Sequence, residues 1–308
     1  MSTSLRHVLL GDLPGQDRAL LRLTGEDAPR FLQGLLTADV GQLTGGQALP
    51  AALLTVKGKI VSEVIVLGPS EAEIWLAIPA ELADAVQAQL EGHVIMDDVA
   101  IERLDPSEHA LALAWGGPFD PAPGLVGFAT EHPLHGTLVI GPPATLRAWL
   151  AERGSEPADE PTFTSLRIDQ ARPAWGHELG PDRFPPEVGF VDAVSYTKGC
   201  YMGQEPLSRI HNRGQVNRVM VRVEAERAPE GVDPAQPIEL FIGEDPVGEW
   251  TSRVGLRGLA ILKRKHAEAG KRVHTAAGLD LVVRSGPLGD DPGGPGRTVT
   301  KVQLGGRR

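Results

Sequence analysis

The apolar positions in the first half of the chain follow two spacings. Residues 28–36 carry apolar side chains three and four positions apart, which predicts a helix with one buried face. A polar segment precedes them, and Pro29 suits the first turn of a helix. Residues 51–56 and 60–67 are rich in aliphatic side chains and flank a Lys-Gly-Lys turn, which predicts a β-hairpin. Similar patterns predict strands at residues 20–23, 73–78, 95–104, 109–115 and 136–140, and helices at residues 79–90, 144–152 and 163–171. Strands and short helices thus alternate as in split βαβ units.

The pattern of the second half changes to strands alone. Valines alternate with polar residues at 219–223, and further β-rich runs follow at residues 238–242, 247–254, 258–262 and 279–283. Short strands at such intervals predict a small β-barrel. Glycine and proline then dominate from residue 285, which predicts a disordered tail. We therefore divide the chain into an α+β region of two subdomains (residues 1–212), a barrel (213–284) and a tail (285–308).

Composition restricts the class of protein. With 308 residues, 41% hydrophobic and 23% charged, the chain resembles an ordinary globular protein that is too long for one core. No stretch approaches the roughly 20 apolar residues of a membrane span, so we expect a cytoplasmic protein without membrane contact. The single cysteine, Cys200, excludes an internal disulfide and a self-contained iron–sulfur site, which takes about four protein ligands. We therefore predict no metal site.

The distribution of charge points toward small ligands rather than nucleic acid. The net charge of −10 argues against direct non-specific nucleic-acid binding, which depends on phosphate neutralisation. Residues 198–222 nevertheless contain one acid, Glu205, and five basic residues: Lys198, Arg209, Arg213, Arg218 and Arg222. This basic segment indicates either a small anionic ligand or an ordinary solvated face.

The most distinctive stretch surrounds the cysteine. It has the sequence Lys-Gly-Cys-Tyr-Met-Gly-Gln-Glu at residues 198–205, and a short helix is predicted directly after it. A nearby cation, Lys198, and a following helix N-terminus both favour the thiolate of Cys200 over the thiol. The alternative is a buried cysteine that packs as a small apolar residue.

This stretch, continued by Arg209, Arg213 and Gly214, resembles the signature of the YgfZ family, and residues 23–40 resemble the N-terminal block of that family. The resemblance implies an α+β protein with the fold of the T-protein of the glycine cleavage system: two ferredoxin-like subdomains that form a central folate cavity, and a C-terminal β-barrel. It further implies a tetrahydrofolate-binding protein that acts in the assembly or repair of iron–sulfur enzymes, with a link to tRNA modification. Its expected partners are a reduced folate and iron–sulfur client proteins.

The resemblance also nominates site residues. Arg167 matches an arginine that lies in the folate cavity of the family. Glu178 offers an acceptor for the amino-pyrimidine edge of a pterin, and the alternative is a charge at a turn or helix end. Tyr201 offers a flat wall for the ring, and the alternative is an aromatic anchor of the core. The remaining candidates for folate contact come from the motif: Gln204, Glu205 and Arg209. Cys200 and Lys198 are the candidates for chemistry.

Two departures from T-protein bear on activity. T-protein carries paired aspartates in the hairpin that follows the first block, whereas this chain has Ser62 and Glu63 there. Cys200 stands where T-protein relatives usually have aspartate. Both changes disfavour aminomethyl transfer. Two alternatives therefore accompany the main prediction: an aminomethyltransferase of the T-protein type, and a non-catalytic interaction protein.

Overall fold

The N-terminal half contains two antiparallel sheets and three helices. The structure is a computed structural model that describes residues 4–70, 72–213 and 216–289. In chain order the elements of this half are β1 (Arg6–Leu9), β2 (Arg18–Thr24), α1 (Ala28–Leu35), β3 (Ala48–Leu54), β4 (Ile60–Leu67), β5 (Glu73–Pro79), α2 (Ala83–Glu91), β6 (Ala100–Arg103), β7 (Ala110–Trp115), β8 (Val126–Thr130), β9 (Gly136–Gly141), α3 (Pro143–Glu152) and β10 (Glu156–Pro157).

The two sheets pack face to face and are covered by helices on their outer sides. One sheet has the strand order β3-β4-β5-β2-β6, and the other has the order β10-β1-β7-β9-β8, in which only the short β10 is parallel to its neighbour. Leu20, Ile65, Leu113 and Phe128 belong to the core between the sheets. Helices α1 and α2 cover the outer face of the first sheet, and α3 covers the outer face of the second.

The described residues of the C-terminal half form two helices and a closed six-stranded barrel. Its elements are α4 (Glu160–Gln170), α5 (Gln204–Arg213), β11 (Arg218–Ala225), β12 (Ile238–Ile242), β13 (Asp245–Val254), β14 (Arg257–Lys263), β15 (Arg272–Thr275) and β16 (Asp280–Val283). The barrel closes in the order β11-β14-β13-β12-β15-β16 around Trp250 and a ring of valines and leucines. The predicted α+β architecture with a C-terminal barrel is therefore confirmed.

The segment between α4 and α5 joins the first sheet to the barrel. It contributes Trp175, Val188 and Tyr201 to a core that also contains Leu54 of the β3–β4 hairpin and Ile261 of the barrel. The predicted hairpin is thus present, and its turn is tied to the segment between α4 and α5, since Lys59 Nζ donates to the Asp182 carbonyl over 2.8 Å. This shared core consequently contains residues of the first sheet, of the segment between α4 and α5, and of the barrel.

Several predicted boundaries were wrong. A strand was predicted at residues 95–104, but only β6 forms, and Ile95 and Met96 lie in an exposed turn. This turn is fixed by the N-terminus of α1, where the Asp98 amide donates to Asp27 Oδ2 over 2.9 Å. The predicted helix at residues 79–90 begins later, because β5 extends to Pro79 and a 3-10 turn precedes α2.

The predicted tail begins with residues that contact the barrel. The Leu288 amide donates to the Met220 carbonyl over 2.8 Å, and the Arg222 amide donates to Ser285 Oγ over 2.9 Å. The remainder of the predicted tail, residues 290–308, lies outside the described residues, as does Gly214 of the motif. Within the part of the chain that the structure describes, no helix is long and apolar enough to cross a membrane.

Candidate functional site

The cysteine loop, residues 198–203, is anchored by its lysine to the end of α1. Lys198 Nζ donates to the carbonyl oxygens of Gln33, Leu36 and Ala38 over 2.8, 2.6 and 2.6 Å. Burial lowers the pKa of Lys198 to about 8, and the charge of Asp39 acts in the opposite direction. The ammonium therefore lies in a cage of backbone carbonyls at the C-terminal end of a helix, where a cation is favoured.

Two further anchors hold the other end of the loop. The Met202 amide donates to the Gly34 carbonyl over 3.0 Å. Gly203 has a φ of +79°, and a Cβ there would lie 2.5 Å from the Thr55 carbonyl oxygen, so only glycine fits against the hairpin. Cys200 lies between these anchors and is exposed. The alternative of a buried, structural cysteine is therefore wrong.

Tyr201 points into the protein, away from the exposed thiol. Its side chain is 6% exposed and lies in the core that joins the hairpin to the barrel, with Lys198 Nζ 4.7 Å from its ring centroid. Burial raises the pKa of Tyr201 to about 12. Its hydroxyl oxygen has no hydrogen-bond partner among the described residues. A buried hydroxyl without a partner is costly, so this hydroxyl is a candidate partner for a polar ligand atom or water.

Two of the three candidates on α5 lie at the surface. Gln204 is partly buried, whereas the Glu205 and Arg209 side chains are 76% and 63% exposed and form an ion pair one helical turn apart. An exposed pair of this kind stabilises a helix slightly. The structure therefore separates Glu205 and Arg209 from the buried candidates, and their predicted contact with folate stays a prediction.

Arg167 lies on α4 and is almost completely buried, with its side chain 1% exposed. Its Nη1 donates to the Arg172 carbonyl over 2.9 Å and to Glu178 Oε2 over 3.3 Å. Its Nη2 donates to Ser252 Oγ on β13 over 2.9 Å. The guanidinium thus connects α4, the following loop and the barrel, and only Nε has no partner among the described residues.

Glu178 is fully buried and both of its oxygens are used. Oε1 accepts from Thr251 Oγ1 over 2.6 Å, and Oε2 accepts from the Ala174 amide over 3.1 Å as well as from Arg167. Burial alone would raise the pKa of Glu178, but the positive charges of Arg167 and His177 and the bond from Thr251 hold it below its ordinary value. The carboxylate is therefore ionised and held by protein donors.

These contacts allow a test of whether a reduced folate fits. Arg167 Nε and the Tyr201 hydroxyl are buried polar atoms without a partner, and such atoms fit the acceptors of a polar heterocycle. Glu178 already accepts hydrogen bonds from Arg167, Ala174 and Thr251, so it fits a pterin amino group less well. Arg167 and Tyr201 would therefore be the residues to hold a folate, and Glu178 orients the arginine.

A second buried charge cluster was not predicted. Arg18 Nη2 lies 3.2 Å from Glu63 Oε2, and His132 Nε2 lies 2.5 Å from Glu63 Oε1, with each of the three side chains 1% exposed. Burial raises the pKa of Glu63, but the charges of Arg18 and His132 outweigh it and lower the pKa to about 2. The charge of Arg167 also lowers the pKa of Glu63. The Arg167–Glu178 pair and the cluster of Arg18, Glu63 and His132 are therefore coupled electrostatically.

The sequence did contain a signal for this cluster. Arg18 lies just before the predicted strand at residues 20–23, and Glu63 interrupts the apolar run at residues 60–67. An unpaired charge is strongly disfavoured in a buried strand. Their pairing could not be seen, since the two residues are 45 positions apart. His132 lies in the loop between β8 and β9, outside any apolar run that would mark it as buried.

The predicted basic segment does not form one surface. Lys198 binds carbonyls near α1, Arg209 pairs with its helix neighbour, and Arg222 donates to carbonyl oxygens at the end of α4. Arg218 lines a cavity of about 430 Å³ at the barrel, and none of the residues predicted to bind folate lines it. Among the described residues, no three His, Cys, Asp or Glu side chains are grouped to hold a metal ion.

Comparisons with known proteins agree with the fold. The mouse (Mus musculus) iron–sulfur cluster assembly factor IBA57, mitochondrial, is 28% identical over 288 residues, which cover 84% of this chain and 79% of that protein. The tRNA-modifying protein YgfZ of Escherichia coli O157:H7 is 29% identical over 255 residues, covering 74% of this chain and 76% of that protein. No family model matches the chain.

A comparison with solved structures also supports the T-protein fold. The glycine cleavage system aminomethyltransferase T from Bartonella henselae superposes with a TM-score of 0.73 and 19% identity, covering 92% of this chain and 86% of that chain. The resemblance that the cysteine motif indicated is confirmed by these matches. The chain is a homologue of YgfZ and IBA57 with the fold of the T-protein.

Proposed function

We propose that this protein binds a reduced folate and supports the assembly or repair of iron–sulfur enzymes, including enzymes that modify tRNA, through the thiol of Cys200. The mouse relative is named an iron–sulfur cluster assembly factor, and the bacterial relative is named a tRNA-modifying protein. An iron–sulfur role is compatible with both names, because a tRNA-modifying enzyme that contains a cluster depends on its assembly.

The exposure of Cys200 carries the proposal. The only thiol of the chain lies at the tip of a loop whose two ends are tied to α1, so it is accessible and fixed in place. Thiolates are nucleophiles and soft ligands for iron and sulfur chemistry. One thiol cannot hold a cluster alone, so it acts on a cluster or sulfur that a client protein holds.

Aminomethyl transfer is the second candidate function, because the fold is that of T-protein. The local chemistry argues against it. Glu63, the remaining carboxylate of the paired position, is bound by Arg18 and His132, and its pKa of about 2 leaves it without affinity for a proton at neutral pH. Ser62 is buried and donates to the backbone carbonyl of its neighbour over 2.7 Å.

The test is complementation. An E. coli strain without its own YgfZ would receive the wild-type chain or Cys200→Ser, and the modified nucleosides made by an iron–sulfur tRNA-modifying enzyme would be measured. We expect the wild type to restore modification and the serine variant to fail. Calorimetry with tetrahydrofolate would show equal affinity for both proteins, because the thiol lies outside the buried donors. Full restoration by Cys200→Ser refutes the thiol's role, and no heat of binding with the wild type refutes the folate.

A further inference from the structure

We infer that Lys198 is a positioning residue: its ammonium clamps the cysteine loop to the C-terminal end of α1 and does not activate the thiol. A lysine ammonium has three N–H donors and no acceptor. Three carbonyl oxygens lie within 2.8 Å of Nζ, so each donor is used. No donor is left for the sulfur of Cys200, although the sequence places the two residues almost side by side.

The carbonyl oxygens that form this cage are ones that need a donor. The last carbonyls of any helix have no partner within the helix, and α1 ends at Leu35. Gln33 lies in its last turn, Leu36 is the capping residue and Ala38 lies just beyond. A lysine from a distant segment, 160 to 165 residues away in the chain, thus completes the end of this helix.

The clamp acts on both sides of the cysteine. Lys198 binds the end of α1 before Cys200, and the Met202 amide binds Gly34 of the same helix after it. Gly199 and Cys200 are the exposed residues between these anchors. The loop is therefore tied to α1 on both sides of the thiol, in addition to the packing of Tyr201 in the core.

A second lysine provides a matched comparison. Lys59 is also partly exposed, also lies over an aromatic ring, with Nζ 3.6 Å from the Phe184 centroid, and donates to the Asp182 carbonyl over 2.8 Å. Lys198 differs from it in binding two further carbonyls. Lys59→Met is therefore a control for the loss of a lysine that has one carbonyl and one ring as partners.

Hydrogen exchange on the full chain tests the clamp without reference to function. In the wild type we expect the Met202 amide to exchange at least about tenfold more slowly than the exposed Gly199 amide, because one is hydrogen-bonded and the other is not. Lys198→Met keeps the aliphatic stem and removes the ammonium. It should accelerate exchange of Met202 by about tenfold or more, the loss expected for a charge-assisted bond, while Lys59→Met leaves it unchanged. Equal wild-type rates at Met202 and Gly199, or an unchanged Met202 rate in Lys198→Met, would overturn the clamp.

Alkylation of Cys200 at neutral pH separates positioning from activation. If Lys198 only positions the loop, Lys198→Met reacts with iodoacetamide as fast as the wild type or faster. A rate at least about threefold slower would show that the ammonium activates the thiol, and it would overturn the proposal. Lys198→Arg retains the charge and should recover part of the Met202 protection; protection no better than in Lys198→Met would also count against the clamp.

The importance of the clamp for cells rests on the proposed function, so complementation is measured beside these assays. We expect Lys198→Met to lose support of the iron–sulfur enzyme and Lys198→Arg to recover part of it. If Cys200→Ser supports the enzyme fully, the proposed function fails while the exchange data still decide the clamp. If Lys198→Met supports the enzyme fully despite a released Met202 amide, the positioning role itself is refuted.

Discussion

Replacing Glu63 with glutamine should destabilise the protein by about 3 kcal/mol at neutral pH. The substitution conserves shape but leaves Arg18 buried without a counter-charge, and breaking a buried pair in this way costs about 3–5 kcal/mol. Folding lowers the pKa of Glu63 from 4.5 to about 2, and a shift of that size is a stabilisation of the same order, about 3 kcal/mol.

The assay is urea denaturation followed by tryptophan fluorescence. Since the folded-state pKa is depressed, the contribution of Glu63 is fully present above about pH 4.5 and is lost as the pH falls toward about 2. The difference between wild type and Glu63→Gln should therefore shrink over this range. Glu226→Gln removes an exposed ion pair with Arg272 at 3.1 Å and should change stability by less than about 0.5 kcal/mol. Equal effects of the two substitutions at neutral pH would refute the reasoning.

Three further predictions concern ligand, loop and metal. Arg167→Ala should weaken tetrahydrofolate binding at least about tenfold in calorimetry, through loss of a charge-assisted bond, whereas Arg257→Ala, which removes an exposed arginine bound to Asp169, should leave the affinity unchanged. Gly203→Ala should lower the urea midpoint and release the cysteine loop in hydrogen exchange, because its Cβ would clash with the Thr55 carbonyl; an unchanged midpoint would contradict this. Elemental analysis of the purified monomer should find neither iron nor zinc in stoichiometric amount, and one equivalent of either metal would contradict the interpretation of the single cysteine.

The sequence predicted the local elements well where periodicity was strong. Helix α1 and its buried face followed from apolar spacing, and the β3–β4 hairpin followed from two aliphatic runs around a turn. Strand β1 was missed because its four residues form too short a run, and it is defined by its pairing with β7. Strand order in both sheets was equally inaccessible, since it depends on pairing between segments that are distant in the chain.

The candidate site was predicted as a set of residues rather than as an arrangement. Arg167 and Glu178 were singled out as separate ligand contacts, but they bind each other, and two of their further partners, Ser252 and Thr251, lie on β13, more than 70 residues away. Lys198 was placed beside Cys200 by sequence proximity, whereas its ammonium faces the end of α1. Local sequence shows which residue types are available; the direction of each side chain is decided by long-range packing.

The buried charge cluster has a consequence for how the protein folds. Arg18 and Glu63 come from one sheet, and His132 follows β8 of the other. Docking the sheets in another register would bury the Arg18–Glu63 pair without its contact from His132, and a lost hydrogen bond to a charged group costs about 1.5–3 kcal/mol. Misaligned pairings of the sheets are therefore disfavoured. Apolar surfaces alone are compatible with many registers, so the buried charges help to select one of them.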